Sequence, residues 1–391
     1  MADTLNVAMI GARFMGKAHS NAYQQVGKFF DPAIKPVMKS VCARDAAGTQ
    51  AFAERFGWER ADTDWKQVVS AADIDLVDVC TPGDTHAPIA IAAAQAGKHV
   101  FCEKPLANTL ADAREMLAAA RGGGVRHMVN FNYRRAPAVS LARQMVEAGE
   151  IGEVRQWRAT YLQDWLVDPE SPYSWRMDKK IAGSGAHGDL NAHLIDLARF
   201  ITGDEITEVV GDMKTFITER PYPDGSGTGV GASGSGGKSG KGQVTVDDAA
   251  LFLARFGNGA IGTFEATRMA PGRKNYNRFE VSGSKGTLAW NFEDMNVLEY
   301  YSMDEPTSRQ GFRKIMATES DHPYVAAWWP PGHVLGYEHG FVHGVYDLLQ
   351  AIASGGAVAP DFVDGARCVA VLEAVEASAT GGAWQKVESV E

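Results

Sequence analysis

Short apolar runs alternate with helical stretches through the first 130 residues, and this alternation limits the fold more than any other feature of the chain. Residues 5–10 are apolar without helical spacing, the pattern of a strand buried on both faces. A helix pattern over 15–26 follows, then a strand over 37–43 and a helix over 46–56. Residues 75–81, 99–102 and 126–131 read as further strands, with helices over 87–96 and 111–121 between them. The series predicts a doubly wound parallel sheet, an α/β domain over residues 1–130.

Beyond residue 131 the pattern changes. Strand signals over 154–162, 209–217, 249–256, 259–267, 279–282 and 287–291 follow one another with few helices between them. Turn signals such as Gly257-Asn258-Gly259 and Gly283-Ser284-Lys285-Gly286 join several of them. An open, mostly antiparallel sheet is expected, in an α+β domain over residues 131–391. Helices are expected over 189–201, 337–353 and 364–379, the last packing back on the first domain. The glycine- and serine-rich segment 225–242 reads as a flexible insertion between two strands. A length of 391 residues fits two domains.

Charge and cysteine usage narrow the function classes. A net charge of −10 without a dense Lys/Arg run argues against a nucleic-acid partner. The N-terminus lacks a basic, then apolar, leader pattern, and no apolar run is long enough to span a bilayer. Cys42, Cys80, Cys102 and Cys368 form no C-x-x-C pair and read as buried thiols. These features together imply a cytoplasmic protein without a membrane partner. His339 and His343 have helical spacing but lie in no H-E-x-x-H pattern, so no metal site is expected.

Gly11-Ala12-Arg13-Phe14-Met15-Gly16 follows the first strand and opens a helix. It is a dinucleotide fingerprint with its first and third glycines in register and Arg13 in place of the second. An arginine there either salt-bridges a phosphate or blocks the site. At the end of the second strand Ala43 stands where an acid would grip a ribose, followed by Arg44 and Asp45. Asp45 would suit NAD and Arg44 the extra phosphate of NADP; NAD is the preferred expectation.

Further motifs are Thr81-Pro82 with His86, then Glu103-Lys104-Pro105, each after a strand. A third is the run Gly183-Ser184-Gly185-Ala186-His187-Gly188-Asp189-Leu190-Asn191-Ala192-His193. With the opening Phe14-Met15-Gly16-Lys17-Ala18-His19, these motifs resemble the glucose–fructose oxidoreductase/inositol dehydrogenase family (Gfo/Idh/MocA) over essentially the whole chain. Tyr161-Leu162-Gln163-Asp164-Trp165, Ser174-Trp175-Arg176, Arg220-Pro221 before the insertion and Asp247-Asp248 are most similar to its branch of levoglucosan and glucoside 3-dehydrogenases.

The resemblance implies a Rossmann domain binding NAD or NADP through Gly11, Arg13, Phe14, Met15, Gly16, Arg44, Thr81, Pro82, His86, Glu103 and Lys104. It implies a second domain whose sheet packs against another subunit, in a dimer or tetramer. It further implies oxidation of a ring hydroxyl, at C3, of a sugar, anhydrosugar or glycoside. Alcohol oxidation needs a base for the hydroxyl proton. Lys104, Asp189 and His193 are the expected catalytic residues, with His193 as base, Lys104 assisting and Asp189 holding the sugar. Asp189 and His193, four apart, share a helical face beside an apolar stripe of Leu190, Leu194, Leu197 and Ile201.

Tyr133, Tyr161, Gln163, Trp165, Trp175, Arg176 and Tyr337 are the expected substrate contacts, with Trp328 and Trp329 either a rim or a subunit contact. Three other readings stay open: glycoside cleavage through a transient 3-keto intermediate on tightly bound NAD, an inositol dehydrogenase, and a non-catalytic dinucleotide-binding regulator.

Overall fold

In the computed structural model, which describes residues 4–223 and 240–390, the first sheet is parallel and has six strands in the order β3-β2-β1-β4-β5-β6. These are β1 (Thr4–Ile10), β2 (Lys35–Cys42), β3 (Arg60–Asp62), β4 (Leu76–Val79), β5 (His99–Cys102) and β6 (His127–Val129). Helices α1 (Phe14–Phe29), α2 (Ala46–Phe56), α3 (Trp65–Ser70), α4 (His86–Gln95) and α5 (Leu110–Gly123) alternate with them. The strand order reverses between β1 and β4, so the turns after β1, β4 and β5 share the sheet edge where ligands bind in such folds. Val7, Ala8, Met9, Leu76, Val77 and Val79 are fully buried, as both-face coverage by helices requires. β3 and α3 are too short to give a readable period and were not expected from the sequence.

The second sheet has nine strands in the order β16-β15-β14-β13-β7-β12-β11-β8-β17. Its elements begin with α6 (Pro137–Glu147), β7 (Val154–Leu162), α7 (Lys179–Ala182), α8 (Ala192–Thr202) and β8 (Ile206–Lys214). β9 (Glu219–Pro221) and β10 (Lys241–Gln243) form a separate antiparallel pair. β11 (Ala249–Phe256), β12 (Ile261–Thr267), β13 (Tyr276–Gly283), β14 (Gly286–Asn291), β15 (Val297–Ser302), β16 (Arg313–Met316) and β17 (Gln385–Lys386) complete the sheet. β7 pairs with β12 in parallel, and the other pairings are antiparallel. Phe252 and Phe264 stack at 4.3 Å on its buried face.

The expected strand over 209–217 ends early. Asp248 accepts hydrogen bonds from the backbone N–H groups of Phe216 (2.7 Å) and Ile217 (3.0 Å), which leaves them unavailable for a ladder. Of the expected insertion over 225–242, residues 225–239 fall outside the described ones, and its last two residues belong to β10, paired with β9.

Two last helices, α9 (His339–Ser354) and α10 (Phe362–Gly381), follow. The chain divides into two units. One takes the chain up to Arg135 together with Leu335–Val369, and the other takes Ala136–Val334 and Ala370–Ser389. In the first unit α10 begins against β6: the Phe362 N–H donates to Nδ1 of His127 at 3.1 Å, and the rings lie 4.7 Å apart, tilted by 39°. Among the described residues no helix is long and apolar enough to cross a membrane. Cys42, Cys80, Cys102 and Cys368 are buried free thiols.

Candidate active site

The first unit supplies a turn built for close approach. Gly11 has φ of 118°, and a Cβ there would stand 2.5 Å from the Cys80 carbonyl oxygen. A Cβ on Gly16 would meet the Gly11 carbonyl oxygen at 2.3 Å, so the helix enters against the turn backbone only without one. No side chain caps the N-terminus of α1. Its first N–H groups and positive dipole end therefore fit a pyrophosphate, and the two glycines fit the tight turn that delivers it. Arg13 is exposed at the N-cap position; Phe14 is exposed, and Met15 is half-buried. Arg44 and Asp45 are exposed where α2 begins.

Behind this turn lies a fully buried ionic network. His19 of α1 places Nδ1 2.8 Å from Asp78 Oδ2 on β4 and Nε2 2.8 Å from Glu103 Oε1 after β5. Tyr23 donates to Asp78 at 2.9 Å, and Asn130 donates to Glu103 at 2.6 Å. Burial alone would push the His19 imidazole down, but the carboxylate of Asp78 outweighs it and raises the pKa well above 6.5. Burial likewise favours the neutral acid at Glu103, and the bond from His19 overcomes it and lowers that carboxyl. Cys80 joins the cluster through Asp78 at 3.4 Å, so His19, Asp78 and Cys80 have metal-ligand chemistry but spend it on one another.

This network holds the residue before Lys104. Lys104 stands in the half-buried turn after β5, and its N–H lies 3.3 Å from Glu103 Oε2. His86 ties that turn to its neighbour: its ring nitrogens lie 2.9 Å from the Thr81 carbonyl oxygen and 3.0 Å from that of Pro105. The Thr85 hydroxyl bonds to Thr81 Oγ1 at 2.7 Å, next to Pro82. Glu103 and His86 are thus occupied inside the protein. Tyr133 is buried in this unit. Tyr337 also belongs to it, with its ring parallel to that of Phe14 at 6.3 Å. His343 Nδ1–H donates to the Arg135 carbonyl oxygen at 2.9 Å, and burial lowers its pKa to about 3, a packed histidine beside His339.

The second unit supplies a chain of polar and aromatic side chains. Asp189 and His193 were expected on one regular helix. Instead His187–Asn191 forms a π-helical turn, and the α-helix starts at Ala192. The cause lies in Asp247, whose carboxylate accepts from the N–H groups of Gly185 (2.6 Å) and His187 (2.7 Å). A Cβ on Gly185 would stand 1.8 Å from the Asp247 carbonyl oxygen, so glycine alone permits this approach. Such wide turns recur at functional sites. Leu190, Leu194, Leu197 and Ile201 are buried as the stripe requires, each contributing about 1.5–3 kcal/mol. His187 is buried and bonded, lying 3.0 Å from the Leu372 carbonyl oxygen and 3.1 Å from Asn191 Nδ2.

The expected substrate residues here join into one circuit. The rings of His193 and Tyr161 lie 5.9 Å apart. The Tyr161 hydroxyl and Gln163 Nε2 both donate to Asn275 Oδ1 at 2.7 Å. Trp165 Nε1 donates to Gln163 Oε1 at 2.9 Å. Arg268 lies over the Trp165 ring at 5.4 Å and closes the circuit on Asp189, donating to its Oδ2 at 2.7 Å. Arg176 stacks on Trp175 at 4.4 Å. Burial lowers the Arg176 pKa, Asp189 opposes that shift, and the charge of Arg268 adds to it.

Beneath the circuit Trp165 packs on Leu166, Met177, Val244 and Val246. Fully buried Arg220 donates to the carbonyl oxygens of Leu166 (2.6 Å) and Asp168 (2.8 Å), fixing the loop that presents Trp165. Trp328 and Trp329 lie elsewhere in this unit, next to a short 3-10 turn, with Trp329 exposed. Sequence reasoning missed Arg268 and Asn275. Arg268 stands one residue past β12 and is a buried charge ending an alternating strand, which was its one available signal.

Known proteins are similar to this chain along its whole length. Residues 5–131 match an oxidoreductase family with an NAD-binding Rossmann fold, and residues 139–289 match the GFO/IDH/MocA C-terminal domain. A levoglucosan dehydrogenase of Pseudarthrobacter phenanthrenivorans is 44% identical over 390 residues, 99% of each chain. A crystal structure of an oxidoreductase domain protein from Kribbella flavida is 54% identical, with a TM-score of 0.93 and full coverage of both chains. A levoglucosan dehydrogenase in complex with NADH and levoglucosan is 42% identical, with a TM-score of 0.92 over 98% of this chain and 99% of that one.

Proposed function

This chain belongs to the GFO/IDH/MocA oxidoreductase family and is an NAD-dependent sugar dehydrogenase, and on that premise we propose that it oxidises the C3 hydroxyl of a sugar, anhydrosugar or glycoside. The circuit from His193 through Tyr161, Asn275, Gln163, Trp165 and Arg268 to Asp189 carries this reading. It offers aromatic faces for the C–H side of a pyranose and both donors and acceptors for its hydroxyls. Full-length similarity to a levoglucosan dehydrogenase favours an anhydrosugar or pyranoside.

Bound NAD supplies the acceptor for the hydride leaving the ring carbon. The chain must remove the hydroxyl proton and hold the ring. His193 takes that proton as general base, with Lys104 assisting it and polarising the reacting oxygen. Asp189 accepts a hydrogen bond from a ring hydroxyl, and Gln163, Trp165, Trp175 and Arg176 line the ring. Tyr133 and Tyr337 are further sugar contacts. The cofactor binds the nucleotide unit. There the turn from Gly11 to Gly16 would hold the pyrophosphate, Arg13 would pair with it, Asp45 would serve the ribose of NAD, and Arg44 would accept the extra phosphate of NADP. Thr81, Pro82 and Lys104 would hold the nicotinamide end, and His86 and Glu103 fix their turns.

The chain self-associates as a dimer or tetramer. Support comes from Leu251, Leu253 and Ile261, which project from the outer sheet face at 50%, 49% and 55% exposure.

The test mixes purified protein and NAD with levoglucosan, alkyl glucosides, glucose and inositols, and follows the reduced-nicotinamide absorbance. Steady reduction with levoglucosan or a glucoside is expected. Aglycone release without net NADH would replace this reading with glycoside cleavage, and reduction with inositols alone would replace the substrate.

A further inference from the structure

Arg268 combines three properties that a structural ion pair does not need. It is 2% exposed, yet its Nε and Nη1 are buried without a hydrogen-bond partner. Leaving a buried charged donor unpaired costs more than its bonds return, so such groups are rare unless something else uses them. It also holds Asp189, and it lies over Trp165, so the bonded Nη2 and the unpaired nitrogens belong to one planar fork inside the circuit. Finally, Arg176 is near enough to feel both Asp189 and Arg268. Two guanidinium groups therefore stand beside one carboxylate, and Arg268 keeps two unbonded nitrogens.

A carboxylate only accepts hydrogen bonds and a guanidinium only donates them. A hydroxyl does both. Two hydroxyls on a ring can satisfy the pair only in one sense, one giving its proton to Asp189 and the other taking protons from Arg268. We propose that Arg268 is a sugar-binding residue that sets specificity: with Asp189 it reads the two hydroxyls that flank the reacting carbon, its guanidinium donating to the oxygen that Asp189 does not take. This inference rests on the sugar-oxidising reading and names the feature of the sugar that the site selects, a hydroxyl on each of the two carbons flanking the reacting one.

The test compares wild type with Arg268→Gln and Arg268→Lys, two variants that keep a donor and much of the volume. Kinetics are measured on levoglucosan or methyl glucoside, whichever wild type oxidises, and on its 2-deoxy and 4-deoxy derivatives. NADH binding is followed by nicotinamide fluorescence, and sugar binding by tryptophan fluorescence. Arg268→Gln is expected to lower kcat/KM on the parent sugar by about 10- to 100-fold, the loss of a hydrogen bond to a charged group, with NADH affinity unchanged. On one deoxy sugar, the one lacking the hydroxyl that Arg268 reads, that loss largely disappears. Arg268→Lys recovers part of the activity, because a point charge does not reproduce the fork.

Equal losses on the parent and both deoxy sugars would overturn the proposal, as would unchanged kinetics in Arg268→Gln. In either case wild type still oxidises the sugar and the proposed function stands. Wild type that neither binds nor oxidises any sugar of the panel would overturn both.

Discussion

The two units hold their functional groups by opposite means. In the nucleotide unit the backbone does most of the work: Gly11 and Gly16 clear a turn, and α1 offers uncapped N–H groups. The ionic side chains there, His19, Asp78 and Glu103, are buried and act on the turns. In the second unit the working groups are side chains gathered from far apart, with Asp189 on a π turn and Arg268 past a strand end, 79 residues away. A backbone site tolerates side-chain drift but not a Cβ. A side-chain site tolerates backbone substitutions but not the loss of one member of its circuit.

His193→Ala should give the largest effect. Removing a general base is expected to lower turnover by about 10²–10⁴-fold. NADH binding should persist, because His193 belongs to the other unit. Loss of cofactor binding in this variant, measured by fluorescence titration, would break the division of labour.

His19→Gln comes next. It leaves Asp78 and Glu103 buried without their shared partner, a loss of about 3–5 kcal/mol of stability read by chemical denaturation. The pH dependence has a definite sign. The folded pKa of His19 is raised, so its contribution is complete below 6.5 and fades as pH climbs through that raised value. Glu103 is lowered, so its contribution is present above 4.5 and fades as pH falls. The wild-type advantage should be widest between pH 4.5 and 6.5 and shrink toward alkaline pH. An advantage that grows with alkalinity would contradict the charged imidazole.

Gly11→Ala should cost about 1–3 kcal/mol in strain and weaken NADH binding while tryptophan fluorescence still reports sugar binding. Leu253→Glu should leave the site's chemistry intact and reduce the assembly size, measured by light scattering; an unchanged mass would remove the outer sheet face from the interface.

The same contrast decides what was legible in the sequence. Elements with a long period were readable: α2 and β5 fall where the pattern placed them, Ala46–Phe56 and His99–Cys102. So were patterns whose spacing is local, such as the turn from Gly11 to Gly16 and the apolar stripe of Leu190, Leu194, Leu197 and Ile201. Elements set by distant partners were not. The π turn depends on Asp247, and strand β8 ends because Asp248 takes its next amides, neither of which a window of neighbouring residues contains. Arg268 and Asn275 join the site only once β7, β12 and β13 lie side by side. Tyr337 was placed with the sugar contacts for its nearness in sequence to residues 328–333, and its ring lies parallel to that of Phe14 at 6.3 Å.

Hydride removal from C3 is best tested with levoglucosan carrying deuterium at that carbon. Incubation with NAD and analysis of the reduced cofactor by mass spectrometry should find the deuterium on the nicotinamide, with slower turnover than the unlabelled sugar. Unlabelled NADH, with the deuterium kept in the sugar product, would contradict oxidation at C3.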